Sequence, residues 1–564
     1  MRIVIIGGVA GGMSAATRLR RLLPQADIVV LERSGYVSFA NCGLPYYIGG
    51  VIEDRSALLL QTPQALAKRF GLDVRVHHEV THIDPQRRCV QARTPDGSVA
   101  SVEYDALVLS PGATPVRPPI PGIERALMLR DIEDTDALAR ACAGAQNAVV
   151  IGGGFIGVEL AENLVHAGIE VALIESAPQV MTPLDPEMAA PVHERLRERG
   201  VELRLASAVS EVRERSVVLN DGTHLAADLV VAAVGVRPDV ALAHLAGLRI
   251  GERGGILVDD YGRTSDPAIY AVGDAVEKRD LEDGSAVLVP LANTANLQGR
   301  RVADVIAGRP RPVRPVQATA IIGVFGLQVA TTGWSERRLR AAGRAYRAIH
   351  THPLNHAGYY PGAITLTLKV LIDPATDLIL GAQAVGEDGV DKRIDVIATA
   401  MRAGLTASEL ADLELAYAPQ FGSAKDPVNM VGYVAENLAS GLTQSIQWHE
   451  LAAAQADGAL LIDVRSAAEH ARGAIPDALL LPVDELRERL SLVDSDDVIV
   501  QCAVGVRGHV AAMALSRPGR RVRNLDGGYR TWAAGMAAMA ETDQSHPEFA
   551  RLRADSWSLA ASSS

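Results

Sequence analysis

The fold of this chain is decided by the stretch Gly152-Gly153-Gly154-Phe155-Ile156-Gly157. It lies between an apolar run, Ala148 to Ile151, which predicts a buried strand, and Val158 to Ala167, which has the pattern of a helix. The spacing matches G-x-G-x-x-G, in which glycines let the backbone approach a pyrophosphate at a helix N-terminus. The sequence therefore predicts a dinucleotide-binding βαβ unit. Its predicted nucleotide-binding glycines are Gly152, Gly154 and Gly157.

The next predicted strand, Val171 to Ile174, ends at a carboxylate, Glu175. A carboxylate at this place accepts hydrogen bonds from the ribose 2′-hydroxyl of NADH and repels the 2′-phosphate of NADPH. Ser176 and Ala177 follow, so no arginine comes directly after Glu175 to hold that phosphate. We therefore expect NADH as the pyridine nucleotide.

A second copy of this layout opens the chain. Arg2 to Ile6 is an apolar run, and Gly7 to Gly12 is a glycine-rich turn before a helical pattern. A strand at Ile28 to Leu31 ends in Glu32-Arg33, about 20 residues after the glycines. The match is imperfect because Val9 stands where the middle glycine is expected, so a plain glycine turn is the alternative. The residues assigned to this nucleotide are Gly7, Gly8, Gly11, Gly12, Glu32 and Arg33.

Two nucleotide units imply one nucleotide that is held permanently and one that visits. Two further segments favour a flavin, FAD, as the permanent one. Leu107 to Ser110 runs into a proline-glycine turn, Pro111-Gly112. Ile269 to Ala275 places Asp274 where it would form a hydrogen bond to a ribityl chain. The FAD residues added by these segments are Ser110, Gly112 and Asp274.

Length and composition describe a soluble protein of three to five domains. The chain has 564 residues, of which 48% are hydrophobic and 22% charged. Its net charge of −12 disfavours nucleic acid or an anionic membrane as the main partner. No apolar run approaches the roughly 18 residues that span a bilayer, and the start of the chain lacks a secretory signal. We therefore expect a cytoplasmic protein.

One cysteine, Cys42, stands in the stretch Ser38-Phe39-Ala40-Asn41-Cys42-Gly43-Leu44-Pro45-Tyr46-Tyr47. Its small and polar neighbours favour a reactive nucleophile, and a buried spacer is the alternative. An ionised thiol here would need its pKa lowered by a helix N-terminus or a nearby positive charge. Cys89 and Cys142 have the surroundings of structural residues, and Cys502 is the fourth cysteine. None forms a CxxC pair, so neither a zinc site nor a local dithiol is expected.

In this order, the segments resemble the pyridine nucleotide-disulfide oxidoreductases with two dinucleotide folds. The stretch around Cys42 is similar to the single-cysteine branch that contains coenzyme A-disulfide reductases and NADH-dependent persulfide reductases. The resemblance covers about the first 440 residues and implies that Cys42 faces FAD and forms a mixed disulfide with coenzyme A. It adds Ala292 to the FAD residues. It also implies a coenzyme A site at Ser14, Arg18, Arg21, Ser38 and Asn41. For the arginines, a solvated basic face of the first helix is the alternative.

Phe325 to Gly441 resembles the dimerisation domain of that family, which predicts a homodimer. The stretches Asn355 to Gly362 and Ala416 to Pro419 match closely. The resemblance implies that Tyr359 and Tyr417 reach the partner subunit's active site, where a phenol donates a proton to a leaving thiolate. Ordinary interface aromatics are the alternative.

The C-terminal part resembles a single-domain rhodanese. Asp463-Val464-Arg465 follows a predicted strand, and a later strand, Val498 to Gln501, runs into Cys502-Ala503-Val504-Gly505-Val506-Arg507-Gly508. The resemblance implies that backbone amides cradle a thiolate or persulfide at Cys502 and that Arg507 closes the loop. The chain departs from the family around Ala471 and Arg472, which leaves the sulfur donor open.

The predicted fold class is α/β, with two Rossmann-like folds, an α+β dimerisation domain and a rhodanese-like α/β domain. The expected boundaries are 1–115 and 261–324 for FAD, 116–260 for NADH, 325–441 for dimerisation, 442–540 for rhodanese and 541–564 for a flexible tail.

The favoured function is NADH-dependent reduction of coenzyme A persulfide, polysulfide or coenzyme A disulfide at Cys42, with Cys502 delivering sulfane sulfur. An NADH oxidase or peroxidase that uses a Cys42 sulfenic acid is the alternative. The loop Gly8-Val9-Ala10-Gly11 lacks the histidine that usually assists peroxide chemistry, which disfavours it. A non-catalytic redox sensor or sulfur carrier is the third hypothesis, disfavoured by the intact nucleotide motifs.

Overall fold

The computed structural model describes residues 1–542, which belong to two compact units. The first contains residues 1–174, 200–202 and 207–318, and the second contains the described residues 175–199, 203–206 and 319–542. The tail expected over 541–564 lies, from residue 543, outside the described residues. Within 1–542, no helix has both the length and the apolar character needed to cross a membrane.

A parallel five-stranded sheet forms the start of the first unit. Its strands are short apolar runs buried on both faces, as expected for a parallel sheet covered by helices. In their pairing order the strands are Ile269–Ala271, Ala106–Leu109, Arg2–Ile6, Asp27–Leu31 and Asp73–Arg75.

The glycine turn after the first strand is shaped by steric limits. Gly7 has a φ of +99°, in the left-handed region that favours glycine. A Cβ on Gly12 would lie 1.9 Å from the Gly7 carbonyl oxygen, so only glycine lets the helix Ala10–Leu22 pack this closely. The middle position of the motif is less restricted, because a Cβ on Gly154 in the second copy would meet nothing within 4 Å. The protein itself therefore leaves room for a side chain such as Val9 at this position.

The second nucleotide fold of this unit repeats the arrangement. Gly152 has a φ of +107°, and a Cβ on Gly157 would lie 1.8 Å from the Gly152 oxygen. The predicted helix begins earlier than expected, at Phe155, and ends at His166. The parallel strands of this sheet within the unit are Glu170–Ile174, Asn147–Ile151 and Leu229–Ala232.

The remaining elements of the first unit connect these two folds. Two antiparallel sheets have the strands Glu79–Asp84, Cys89–Arg93 and Val99–Glu103, and Val209–Val212, Ser216–Leu219 and His224–Ala226. Two ribbons pair Ala113–Pro115 with Val236–Pro238, and Lys278–Arg279 with Ala286–Val287. The other helices are Leu44–Ile48, Pro63–Phe70, Ile132–Cys142, Ala241–Leu245 and Ala292–Ile306.

An antiparallel sheet forms the core of the dimerisation region in the second unit. Its strands, in pairing order, are Ala320–Val324, Leu327–Gly333, Ile379–Gly386, Thr367–Ile372 and Arg347–Thr351. The helices of this region are Pro186–Glu198, Glu336–Ala341, Val390–Ala403 and Pro427–Ala439. The strand Glu202–Arg204 is shared by the two units.

A parallel sheet forms the C-terminal part of the same unit. Its strands, in pairing order, are Gln444–Ile446, Arg521–Leu525, Asp497–Gln501, Leu460–Asp463 and Leu479–Leu480. The helices are Leu451–Ala456, Ala467–Ala471, Val483–Leu486, Val506–Leu515 and Gly528–Thr542. The run Ile446 to Ala454 has the sequence pattern of a helix, but this prediction is wrong at its start, because Ile446 pairs with Leu525 as an edge strand. The predicted α/β fold class is confirmed.

Candidate active sites

Cys42 lies on an exposed turn between two buried anchors. Phe39 and Leu44 pack into one small apolar cluster. The turn Asn41–Gly43 and the helix Leu44–Ile48 carry the chain between and beyond these anchors. Cys42 is therefore exposed and unbridged, while the residues on both sides are held in place.

The surroundings of Cys42 do not favour its thiolate. Partial removal from water raises the pKa of the thiol, and the carboxylates of Glu159 and Asp274 raise it further. The described chain therefore does not supply the lowering of the pKa that an ionised Cys42 thiol would need. Tyr46 donates a hydrogen bond to Glu159 Oε1 at 3.2 Å, and burial raises the pKa of Glu159 to about 7. Sequence reasoning missed Glu159, although it lies two residues after the second glycine motif.

Asp274 fits a role in holding FAD. Its Oδ1 is buried and has no hydrogen-bond partner within the described residues. Burial raises the pKa of this carboxyl, because removing its charge from water is costly. A hydroxyl group of a ribityl chain would donate a hydrogen bond to Oδ1 and so reduce the cost of burying it. Asp274 also interacts electrostatically with Cys42, which brings the predicted flavin carboxylate and the thiol to one site.

Glu32 is held at the end of its strand by backbone donors. Its carboxylate accepts hydrogen bonds from the amides of Gly8 at 2.7 Å and Ser34 at 2.9 Å. Arg33 is paired with Asp239 at 3.4 Å. The acid therefore stands next to the glycine turn, as a ribose-binding carboxylate must.

The other residues assigned to FAD line the same turn. A Cβ on Gly7 would lie 2.0 Å from the Ser110 carbonyl oxygen, so the two segments touch. Gly112 has a φ of +74°. Ala292 begins a helix that packs closely on the turn, because a Cβ on Gly299 would lie 2.1 Å from the Gly11 oxygen. These residues fit a dinucleotide, and their roles stay predictions.

The basic cluster on the first helix is divided among different contacts. Arg18 forms an ion pair with Asp304 at 2.8 Å, so part of its charge is already balanced. Arg20 donates hydrogen bonds to four backbone carbonyls and has a structural role. Arg21 is exposed. Of the two arginines assigned to coenzyme A, Arg21 has the more accessible charge.

The uncharged residues assigned to coenzyme A lie in several elements of the first unit. Ser14, on the first helix, donates a hydrogen bond to Asn296. The Ser38 amide donates to the Gly8 carbonyl at 2.8 Å, which joins the cysteine stretch to the glycine turn. Asn41 is exposed directly before Cys42. Their binding of coenzyme A stays a prediction.

Tyr359 and Tyr417 meet in the second unit. Their hydroxyl groups lie 2.7 Å apart, and the two residues are 76% and 48% exposed. Two segments that are 58 residues apart in the chain therefore present one phenol pair at the surface. This exposure is compatible with the predicted contact to a partner subunit, which stays a prediction.

A buried arginine holds the two tyrosine segments together. Arg393 donates to the Asn355 carbonyl at 2.8 Å and to the Asp426 carboxylate at 2.9 Å. Asp426 also caps the helix Pro427–Ala439. The Ala357 amide, beside Tyr359, donates to the Gly422 carbonyl at 3.0 Å. Sequence reasoning missed Arg393, because nothing near it in the chain marks it as important.

Glu175 directly follows its strand, and its Oε1 accepts a hydrogen bond from the Ala177 amide at 2.7 Å. The Glu175 amide donates to the Arg204 carbonyl at 2.8 Å. Arg204 therefore lies beside Glu175 in the structure, although no arginine comes directly after Glu175 in the sequence. The preference for NADH stays a prediction.

Cys502 stands at the start of a tight loop after the strand Asp497–Gln501. The residue is 0% exposed, and its Sγ accepts a hydrogen bond from the Gly505 amide at 3.1 Å. Gly505 has a φ of +94°, which turns its N–H group toward the sulfur. The loop therefore provides a backbone donor for a thiolate or a persulfide.

Arg507 lies in the first turn of the helix Val506–Leu515. It forms a two-point ion pair with Glu469, with distances of 2.6 and 2.8 Å. This pairing lowers the pKa of Glu469 to about 2. The pKa of Arg507 is raised, first by Glu469 and further by Cys502. Glu469 is a second residue of this site that sequence reasoning did not assign.

Comparison with known families agrees with this geometry. Residues 1–299 match the family model for pyridine nucleotide-disulphide oxidoreductase. The chain belongs to this family. Residues 319–427 match the dimerisation domain of the pyridine nucleotide-disulphide oxidoreductases, and residues 447–535 match the rhodanese-like domain. The chain is therefore an FAD-dependent pyridine nucleotide-disulphide oxidoreductase with a rhodanese domain.

Three relatives of this family are similar over most of the chain. Coenzyme A disulfide reductase of Staphylococcus aureus is 34% identical over 441 residues, which is 77% of this chain and 100% of the relative. The structure of reduced Bacillus anthracis CoADR-RHD has a TM-score of 0.93 and 46% identity, covering 95% of this chain and 98% of that one. The NAD-dependent persulfide reductase from A. fulgidus has a TM-score of 0.89 and 38% identity, covering 94% and 100%. The predicted single-cysteine branch is confirmed.

Proposed function

We propose that this oxidoreductase uses NADH to reduce coenzyme A persulfide, polysulfide and coenzyme A disulfide at Cys42. The proposal is supported by one observation: an exposed, unbridged Cys42 is combined in one chain with a buried Cys502 whose sulfur accepts a hydrogen bond from the Gly505 amide. No second cysteine lies near Cys42 in the sequence, so we propose an external thiol as its disulfide partner. A reductase for plain coenzyme A disulfide has no need of a sulfane-sulfur carrier.

The proposed reaction at Cys42 proceeds in two steps. The Cys42 thiolate attacks the carbon-bound sulfur of coenzyme A persulfide, the S–S bond breaks, and hydrosulfide leaves. The product is a mixed disulfide between Cys42 and coenzyme A. Two electrons from NADH and one proton cleave this disulfide, which releases coenzyme A and restores the thiolate. When bound, FAD supplies the carrier chemistry that moves an electron pair from NADH to sulfur.

The Tyr359–Tyr417 pair supports the protonation step of this proposal. A phenol that donates a hydrogen bond stabilises a leaving thiolate, and its exposure suits action on a second subunit. We therefore propose a homodimer in which the tyrosines of one protomer serve the Cys42 site of its partner. The exposed Arg21 and the polar Ser14, Ser38 and Asn41 are proposed to bind coenzyme A phosphates and amides.

The rhodanese domain is proposed to load sulfane sulfur onto Cys502. The Gly505 amide and the Arg507 guanidinium both stabilise negative charge on the sulfur. The sulfur is then passed to the thiol of coenzyme A, which forms the persulfide that Cys42 reduces.

The test measures NADH oxidation with coenzyme A persulfide and with coenzyme A disulfide at matched concentrations. We expect the larger kcat/KM with the persulfide, and a larger kcat/KM with NADH than with NADPH. A large advantage for the plain disulfide would overturn the substrate assignment. Rapid oxygen consumption without any disulfide would instead support the oxidase alternative.

A further inference from the structure

The Cys502 loop is braced by the segment Asp526–Arg530. The Tyr529 amide donates to the Cys502 carbonyl at 2.8 Å, and the Arg530 amide donates to the Ala503 carbonyl at 3.1 Å. Gly528 has a φ of +63°, and a Cβ there would lie 2.3 Å from the Cys502 oxygen. The contact is so close that a shift of this segment must also shift the loop.

The bracing segment is attached to a strand of the dimerisation domain, Arg347–Thr351. Asp526 accepts a hydrogen bond from the His350 amide at 3.0 Å, and its Oδ2 lies 2.6 Å from His350 Nδ1. His352 Nε2 lies 2.8 Å from the Thr531 hydroxyl oxygen. All these residues belong to the same compact unit. The persulfide loop is thus held, through one segment, by residues about 150 positions earlier in the chain.

The contacts of His350 define its charge. Nδ1 faces Asp526, and Nε2 lies 3.1 Å from Oε1 of Glu187, a residue of the helix Pro186–Glu198. Both ring nitrogens face carboxylate oxygens, so both must carry a proton, and the side chain is an imidazolium. Burial opposes this charge, but Asp526 and Glu187 outweigh burial and raise the pKa of His350 to about 9. The pKa of the neighbouring His352 lies well below its usual value, so His352 is neutral.

A buried lysine completes the charge balance around Glu187. Lys369 lies 2.9 Å from both Asp185 and Glu336 and also contacts Glu187. Three carboxylates this close together have the spacing of a metal site. The ammonium group of Lys369 already occupies their centre, so this cluster serves to hold charge rather than a metal. Its structure keeps Glu187 in place as the second partner of His350.

We propose that His350 is a positioning residue for sulfur transfer at Cys502, acting as a charged clamp between the dimerisation domain and Asp526. The inference rests on the proposed sulfurtransferase role of Cys502. It extends that role, because it makes the persulfide site depend on the reductase part of the chain. The clamp is present at neutral pH. Since the pKa of His350 is raised above its ordinary value, the clamp is lost as pH rises through about 9.

The first test uses His350→Gln in the full-length holoenzyme. Glutamine offers one donor group and one acceptor, so it cannot donate to both Asp526 and Glu187. Sulfur transfer from thiosulfate to Cys502, with release of sulfite, and then to cyanide, with formation of thiocyanate, is expected to fall about tenfold. Reduction of coenzyme A disulfide by NADH is expected to change less than twofold. Absence of thiocyanate formation in the unmodified enzyme would refute the Cys502 role itself, and not only the clamp.

The second test does not depend on turnover. The rate at which iodoacetamide modifies Cys502 is compared between His350→Gln and the unmodified chain at pH 7 and pH 10, with mass spectrometry of the Cys502 peptide. We expect about tenfold faster modification of the variant at pH 7 and similar rates at pH 10, where the unmodified clamp has also lost its proton.

Arg197→Gln is the matched control. Arg197 lies on the same helix as Glu187 and pairs with Glu541 at 2.6 Å. Glu541 lies near the end of the helix Gly528–Thr542 that is away from the Cys502 loop. Its variant is expected to keep the unmodified rates at both pH values. If His350→Gln does not fold, Asp526→Asn tests the same contact from the other side. A rate ratio near one at pH 7, or a ratio above one that persists at pH 10, would overturn the clamp.

Discussion

The two reactive cysteines of this chain have opposite surroundings. Cys42 is exposed, and carboxylates raise the pKa of its thiol. Cys502 is fully buried, receives a hydrogen bond from the Gly505 amide and lies near the Arg507 guanidinium. The Cys502 site therefore has its anion-stabilising groups in the same short stretch of chain.

This difference shows how each site is built. The Cys502 loop takes its groups near the sulfur from one strand, one tight turn and one helix, and the distant segment Asp526–Arg530 braces it from behind. The Cys42 site depends on groups from distant segments, such as Glu159 and Asp274, and on a bound nucleotide. We therefore expect single substitutions to separate the two activities.

The largest effect is expected from Cys42→Ser. A serine hydroxyl is a far weaker nucleophile toward S–S bonds, so NADH-dependent reduction of coenzyme A disulfide should fall by at least about 10³-fold. The flavin absorbance spectrum should show that FAD is still bound, because Cys42 is not among the residues assigned to FAD. Thiocyanate formation from thiosulfate and cyanide should be unchanged. Disulfide reduction that survives this substitution would remove Cys42 from the mechanism.

Arg507→Ala tests the other cysteine. Loss of the guanidinium removes positive charge near Cys502 and leaves Glu469 without its ion pair, so thiocyanate formation should fall on the order of 10²-fold. Arg517→Ala removes an exposed ion pair with Asp496 in the same domain and serves as the control. Equal losses in the two variants would indicate a general effect on the domain.

Tyr417→Phe removes one hydroxyl of the phenol pair while keeping the ring. If the pair protonates a leaving thiolate, kcat for coenzyme A disulfide should fall about 10²-fold, with little change in the fraction of dimer. Analytical ultracentrifugation and steady-state kinetics measure the two quantities. A shift toward monomer at constant kcat would support the alternative, in which the tyrosines are ordinary interface aromatics.

The smallest effect is expected from Glu159→Gln. Above pH 7 the Glu159 carboxylate is ionised and disfavours the Cys42 thiolate, so its removal should lower the pKa of Cys42. Alkylation of Cys42 by iodoacetamide at pH 8 should then be several-fold faster in the variant. Below pH 7 the two proteins should converge, because Glu159 is then protonated in the unmodified chain. An unchanged alkylation profile would show that Glu159 does not control the thiol.

Local sequence patterns predicted the elements that carry the chemistry. The two glycine turns, the exposed Cys42 stretch and the Cys502 loop are each continuous in the chain, and short-range sterics control them. The helix expected from Ile446 was wrong at its start, because pairing with the distant strand Arg521–Leu525 decides the structure there.

The sequence alone determined the family and the presence of two nucleotide folds, and it predicted both reactive cysteines, because these depend on motifs of six to ten neighbouring residues. Only the tertiary structure decided which charges meet. Glu159 reaches Tyr46 across 113 positions, and His350 reaches Asp526 across 176. Such pairs form when strands and helices pack, and neither partner carries a local signal. Packing therefore decided the charges around Cys42 and the charged contact that braces the Cys502 loop, whereas the donors closest to Cys502 are local in the chain.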